Sequence, residues 1–262
     1  TLVLALVLFI FYVKENGFRP VISLPLGKKL LKQSYHYLIS GLIAILYSKI
    51  DQIMLGDMLD KASVGLYSAA LAIAGLWGMI PSAFIQSVSP ILYKNAQTDR
   101  GMFLKRLKQS YAGIWFLNVC WSLAISLFSY WVVLLLYGAE YMGARKALII
   151  VVWYSGISSL GSLTQVYLAT ENKNKYINYF ALAGLGTDVV LNALLIPHFG
   201  ITGAAVATLA TYCVIHIVMP LVIKDTREAA VLILQGMIFR DVIDENMKQY
   251  GKMIVKKVFR RK

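Results

Sequence analysis

Ionisable side chains inside apolar stretches are the residues of this sequence most able to do chemistry, and they are few: Lys49, Asp51, Asp188 and His216. A carboxylate placed in hydrocarbon is costly, so its site must offer water, a partner or a proton. Asp188 meets that condition most sharply, because it sits near the middle of the apolar run 176–196. Gly184, Asp188 and Asn192 recur at fourfold spacing and share one helix face. Two more polar stripes follow similar spacings on other runs: Asn118, Ser122 and Ser126, and Ser158, Ser162 and Gln165. These residue types serve two ends, a wet path across a bilayer or hydrogen bonds between helices.

The remaining candidates are weaker. Lys49 and Asp51 are two residues apart near the outer end of their run, point to different faces, and can both snorkel outward. His216 stands alone on the last long run and reads as packing or as a hydrogen-bonded core residue; His36 and His198 lie near helix ends. Catalytic motifs are missing. There is no HExxH, and no Cys/His pair has metal-ligand spacing. Asp57 and Asp60 form a DxxD, but in a six-residue loop beside Lys61, where a solvated turn is the simpler reading. Cys120 and Cys213 fall in different apolar runs and behave as small apolar residues. The sequence therefore points to no catalytic residue, metal or cofactor.

The elements that must position these residues are membrane helices. Hydrophobic residues make up 58% of the 262, and the mean hydropathy is +0.65. Apolar runs of this length suit a bilayer rather than a globular core. Six stand out, at about 34–56, 63–92, 110–137, 147–170, 176–196 and 201–223, after a 13-residue run at the start. That first run is too short to span about 30 Å of hydrocarbon at roughly 1.5 Å per residue, so it reads as the end of a preceding helix. Barrel strands would alternate in polarity, and these runs do not. The expected fold is an all-α polytopic bundle: 1–13 the end of a helix, 14–33 a linker, 34–223 six spans, and 224–262 a basic tail whose segment 229–239 suits an interfacial helix.

The formal charge of +13 invites a nucleic-acid reading, and its placement argues against one. Lys and Arg number five in 14–33, five in 93–109, two in 171–175 and ten in 224–262. The intervening loops hold three, and Lys49 lies within a run. That alternation is the positive-inside pattern, so the basic loops and the C-terminus are expected on the cytoplasmic side of the cell inner membrane. Gly75, Gly78, Pro81 and Pro90 fall inside the second run, where they are expected to bend or break the helix. Ala70, Ala74 and Gly78, like Gly203, Ala207 and Thr211, form stripes suited to close helix packing.

Two segments carry a family resemblance. One is SKIDQIMLGDMLDKASVGLYSAALAI, 48–73, in which Asp51 near a helix end precedes a short loop and then Val64-Gly65-Leu66-Tyr67 through Ala70. The other is LNALLIPHFGITGAAVATLATY, 191–212, with its signature from Leu191 to Ala205. Both resemble the C-terminal half of Wzx-type polysaccharide flippases of the multidrug/oligosaccharidyl-lipid/polysaccharide exporter superfamily. The resemblance implies one six-helix lobe of a two-lobed exporter that works by alternating access. It implies an isoprenoid-pyrophosphate-linked oligosaccharide as substrate, with the polar stripes, Lys49 and Asp51 as candidates for its path. The implied partners are membrane lipids, the N-terminal half of the same transporter, and polysaccharide polymerase machinery. Other readings stay open: a multidrug exporter or a lipid II flippase of the same superfamily, or a membrane-embedded enzyme acting on lipid carriers. The enzyme reading would need a large polar loop rich in acids and arginines, whereas the longest internal loop, 93–109, is small and basic.

The charge pattern makes a direct prediction. Single cysteines in 57–62 and 138–146 should react with an impermeant maleimide on intact cells, and those in 93–109 and 171–175 should not. External labelling of 93–109 would invert the topology.

Overall fold

The computed structural model describes residues 11, 25, 45, 46 and 48–239. The chain divides into two units, Thr1–Leu42 and Ile43–Lys262, and the helical bundle belongs to the second. The run 1–13, the linker 14–33, most of the run 34–56 and the tail beyond 239 lie outside the described residues.

Every regular element among the described residues is helical, as full backbone satisfaction in lipid requires. The order is α1 (48–58), α2 (Lys61–Gly75), a 3₁₀ turn (Leu76–Gly78), α3 (Met79–Thr98), α4 (Arg100–Tyr137), a 3₁₀ segment (Ala139–Ala144) and α5 (Arg145–Thr170). Then come α6 (Lys175–Phe199), α7 (Ile201–Cys213), a π-helical turn (Val214–Val218), α8 (Met219–Val222), a 3₁₀ turn (Lys224–Thr226) and α9 (Arg227–Met237). Five stretches among these residues are long and apolar enough to cross a membrane: 61–98, 100–137, 139–170, 175–199 and 201–222. The chain is a multi-pass, all-α membrane protein.

The loops explain where helices start and stop. Asp60 caps α2 by accepting from the Ser63 N–H at 2.6 Å, and Asp99 caps α4 from the Met102 N–H at 3.0 Å. The Ser63 N–H, which favours the charged carboxylate, holds the exposed Asp60 below the usual carboxylate range. Gly138, with φ +86°, ends α4, and Gly200, with φ +57°, turns α6 tightly into α7. The expected break in the second run falls at Leu76–Gly78, just before Pro81, while Pro90 lies inside α3. The expected start of the third span near 110 moves back to Arg100, because the basic stretch 100–109 continues the helix. At 38 residues α4 is about 57 Å long, more than the roughly 30 Å of hydrocarbon, so part of it extends beyond the bilayer.

Helix α5 is the plank on which the bundle is built. It is the most enclosed of the five spans and packs against α2, α3, α4 and α7. One apolar cluster gathers Leu55, Tyr67, Ala70, Ala74, Leu148, Val152 and Ala204; a second gathers Phe103, Leu107, Tyr111, Leu163, Tyr167, Phe180 and Ile233. The small-residue stripes lie in these contacts, with Ala70, Ala74, Gly203, Ala207 and Thr211 all buried.

Helix α9 covers most of the expected amphipathic segment 229–239, starting two residues before it and ending at Met237. Its Ala229, Ala230, Ile233 and Gly236 face inward, and Gly236 meets the Tyr111 Cβ and the backbone of α4. Val231, Leu234, Ile238 and Phe239 face outward. A polar clamp ties the corner before α9 to the bundle: Arg100 bridges Glu171 at 3.1 Å and Glu228 at 2.8 Å, Tyr167 donates to Glu228, and Lys173 reaches the Asp225 carbonyl at 2.7 Å.

Close backbone approach at the α6–α7 hairpin yields a stability prediction. A Cβ at Gly203 would collide with the Leu195 carbonyl, whereas one at Gly186 would meet nothing. Gly203→Ala should lower stability in detergent by about 1–3 kcal/mol through overpacking, and Gly186→Ala should not. Comparing the two melting temperatures checks this.

Candidate functional site

The conspicuous polar feature of the bundle is a buried centre around Asp51. The side chain is 8% exposed on α1. Its Oδ1 accepts from the Asn192 amide of α6 at 2.7 Å. Its Oδ2 lies 2.8 Å from both the Tyr67 hydroxyl of α2 and the Thr208 hydroxyl of α7, which are themselves 2.6 Å apart. Four helices thus converge on one carboxylate. A buried charge without such donors would be strongly unfavourable, so these contacts are what allow an acid at this position.

The second acid joins the same centre. Asp188, 2% exposed, accepts from the Thr211 hydroxyl of α7 at 3.1 Å, and its carboxyl faces Asp51 at hydrogen-bonding range. One helical turn along, the Asn192 side chain donates to Asp51, while its Oδ1 is buried and has no hydrogen-bond partner among the described residues. The centre is therefore rich in oxygen: two carboxyls, an unpartnered amide oxygen and three hydroxyls. Two carboxylates at this range repel, so the pair keeps its two charges only with a cation beside it and otherwise shares a proton.

Sequence pattern alone reaches part of this centre. It places Asp188 and Asn192 on one face, which the structure turns into the bundle toward α7. It puts Asp51 near the outer end of a run, and the structure brings that acid to the same centre as Asp188. Lys49 is exposed and its Nζ lies 3.4 Å from the Gln52 Oε1. Gly184 is buried where the Ile215 side chain occupies the space of a Cβ. Thr208 and the role of Tyr67 escape the sequence pattern, although Tyr67 belongs to the motif at Val64–Ala70.

The other two stripes have different fates. Asn118 and Ser122 are fully buried between α4 and α5. The Asn118 amide fills the space left by Gly156, with neither polar atom hydrogen-bonded among the described residues, and Ser122 donates to the Val152 carbonyl at 3.3 Å. Ser126 is partly buried, and its hydroxyl has no partner among the described residues. Ser158, Ser162 and Gln165 instead line a cavity. It has two lobes of about 260 and 240 Å³ that share Ser158, Ser162 and Tyr212. One lobe extends to Gly75, Gly78 and Pro81 at the broken second span; the other extends to His216 and Phe180. Tyr154, on the cavity wall, lies within electrostatic reach of Asp51. The wall and the acid centre are thus neighbours.

Comparison with known proteins gives these positions a context. The family model described as polysaccharide biosynthesis protein matches residues 1–146. The chain is 28% identical over 169 residues to "Probable flippase AglR" of Haloferax volcanii, covering 62% of this chain and 35% of that protein. It is 22% identical over 189 residues to "Probable low-salt glycan biosynthesis flippase Agl15" of the same organism, covering 72% of this chain and 40% of that protein. A shorter match, 44% identical over 85 residues, is to "Protein DETOXIFICATION 21" of Arabidopsis thaliana, covering 30% of this chain and 17% of that protein. The chain thus spans well under half the length of these curated relatives. No solved structure matches.

The acid centre predicts energetic coupling across helices. Tyr67→Phe and Thr208→Val should each destabilise the full-length protein by about 1–3 kcal/mol, since each removes a hydrogen bond to a buried carboxyl. The double variant should depart from the sum by roughly 0.5 kcal/mol or more, because both hydroxyls serve one oxygen. Thermal melts of the four proteins check this, and strict additivity would contradict it.

Proposed function

The chain belongs to the polysaccharide biosynthesis protein family, and on that premise we propose that it is part of a transporter that flips an isoprenoid-pyrophosphate-linked oligosaccharide across the cytoplasmic membrane by alternating access. The two flippase-named relatives and the absence of any catalytic motif in the sequence support transport over chemistry. In this reading the described spans form one lobe, the lobe encoded by the C-terminal half, and a second lobe completes the cavity. Ser158, Ser162 and Gln165 line the substrate path. The basic loops and the tail face the cytoplasm, in keeping with the charge alternation.

The observation that carries the mechanism is the pair Asp51–Asp188 with the Asn192 Oδ1, which has no partner among the described residues. The centre holds a proton or a monovalent cation in one state of the cavity and releases it in the other. A bound ion shifts a two-state equilibrium only if it binds one state better. Here the difference arises because Asp51 is held by groups from α2, α6 and α7, so any relative shift of those helices changes the number of oxygens facing the ion. Tyr154, on the cavity wall, is near enough to Asp51 to sense its charge.

A second reading has one specific observation behind it, the 44% match to the plant DETOXIFICATION protein: export of a small toxic compound by the same lobe. The two are separated by phenotype. Loss of the intact protein should leave lipid-linked oligosaccharide on the cytoplasmic side without altering drug sensitivity. A deletion that sensitises cells to lipophilic cations and leaves surface glycan intact would favour the second reading. In the intact protein, Asp188→Asn keeps the side-chain shape and removes the charge. It should reach the membrane in normal amounts and slow flipping by about tenfold or more, some 1.4 kcal/mol in the barrier; full flipping would exclude a coupling role for Asp188.

A further inference from the structure

The cavity wall has an unusual chemistry for a site beside two acids. None of its lining residues is Asp, Glu, Lys or Arg. Three rings instead run in series along it. Tyr154 of α5 lies 4.7 Å from Tyr212 of α7, centroid to centroid, and Tyr212 lies 5.7 Å from His216 in the π-helical turn. Sequence pattern reads His216 as packing or as a hydrogen-bonded core residue; in the structure it packs beside Gly161 and also borders the cavity.

Two local features put it there. The π turn Val214–Val218 carries one residue more than α-helical winding allows, and such turns re-aim side chains. Gly161 on α5 then leaves room for the imidazole, which occupies the space a Cβ would take. The hydroxyls of Ser158 and Ser162 and the amide of Gln165 continue the α5 face that carries Tyr154 and line the same cavity, with Ser162 and Gln165 exposed. Ring faces adjoin hydroxyls and an amide, and no fixed charge intrudes among the described residues. A phosphate would find no cation on this wall, and a cationic drug no anion. A pyranose matches it. Its C–H face lies on the electron-rich face of an aromatic ring, and its hydroxyls both donate and accept, as Ser, Gln and Tyr side chains do. The volumes suit part of a ligand, since complete small-molecule pockets run from roughly 300 to 1,000 Å³.

We propose that Tyr154, Tyr212 and His216, with Ser158, Ser162 and Gln165, form a subsite for an uncharged sugar unit of the transported glycan, leaving the pyrophosphate to be held elsewhere. This rests on the glycan-flippase reading and adds the chemical class of the sugar and the residues that select it.

The test uses the full-length protein in lipid nanodiscs, with Cys120→Ser and Cys213→Ser to remove the free thiols of the described residues and Ser162→Cys as reporter on the wall. The readout is the rate of reaction with N-ethylmaleimide. Millimolar chitotetraose or maltotetraose should slow labelling severalfold, and tetragalacturonate or tetraphenylphosphonium should not. Tyr212→Ala should abolish the protection and Tyr212→Phe should keep it. Gln165→Ala, which changes only an exposed side chain, should weaken protection without affecting the fold. Equal protection by the anionic oligosaccharide, protection by neither neutral sugar, or protection unchanged in both Tyr212→Ala and Gln165→Ala would overturn the proposal. If no neutral sugar protects while the protein still flips a labelled lipid-linked oligosaccharide, the subsite is wrong and the flippase reading stands. If tetraphenylphosphonium alone protects and no glycan is flipped, both fail.

Discussion

A carboxylate buried among membrane helices must be matched by donors, and in this protein Asp51 sets that requirement for four helices at once. Its two oxygens draw in Asn192, Tyr67 and Thr208 from α6, α2 and α7. Because the interior has a low dielectric, these hydrogen bonds are strong when made and expensive to lose. The helices around Asp51 are therefore restricted to arrangements that keep it satisfied. Asp188 adds a second acid to the same centre, and the arrangement then depends on what lies between the two carboxyls. In the proposed mechanism, that dependence turns a static packing problem into a switch.

The surrounding architecture suits a switch. Helix α5 supplies a rigid reference, with one face packed on α4 and the other bordering the cavity. The winding of the second span tightens to a 3₁₀ turn at Leu76–Gly78, beside Gly75, Gly78 and Pro81 of the cavity wall. At the far end of α5 the clamp of Arg100, Glu171, Glu228 and Tyr167 holds the corner before α9. Exposed ion pairs are worth little singly, so the packed Ala229, Ala230 and Gly236 face carries most of that attachment.

The five described spans were legible in the sequence because hydrocarbon thickness imposes a length and composition that no neighbour can alter. Asp188 was legible for the same reason, since depth follows from position within a run. Asp51 could be read as a motif residue but not as the hub, because its contact to Asn192 crosses 141 positions and no local pattern encodes such a pairing. The three polar stripes look alike in sequence and go to different surroundings, Asn118 and Ser122 into a helix contact and Ser162 and Gln165 to a cavity wall. Which face of a helix meets a neighbour is decided by packing; here small residues such as Gly156 determine it. His216 stayed hidden because a π turn and a glycine on another helix place it.

The central claim is that the Asp51–Asp188 centre couples an ion to movement of the cavity. It is tested most directly by following a labelled lipid-linked oligosaccharide across vesicles that contain the intact protein, under imposed gradients of protons and of sodium applied separately. The account predicts that one of the two gradients accelerates flipping and that Asp51→Asn and Asp188→Asn remove the dependence. Flipping by the unaltered protein that is indifferent to both gradients, or gradient dependence that survives both substitutions, would contradict it.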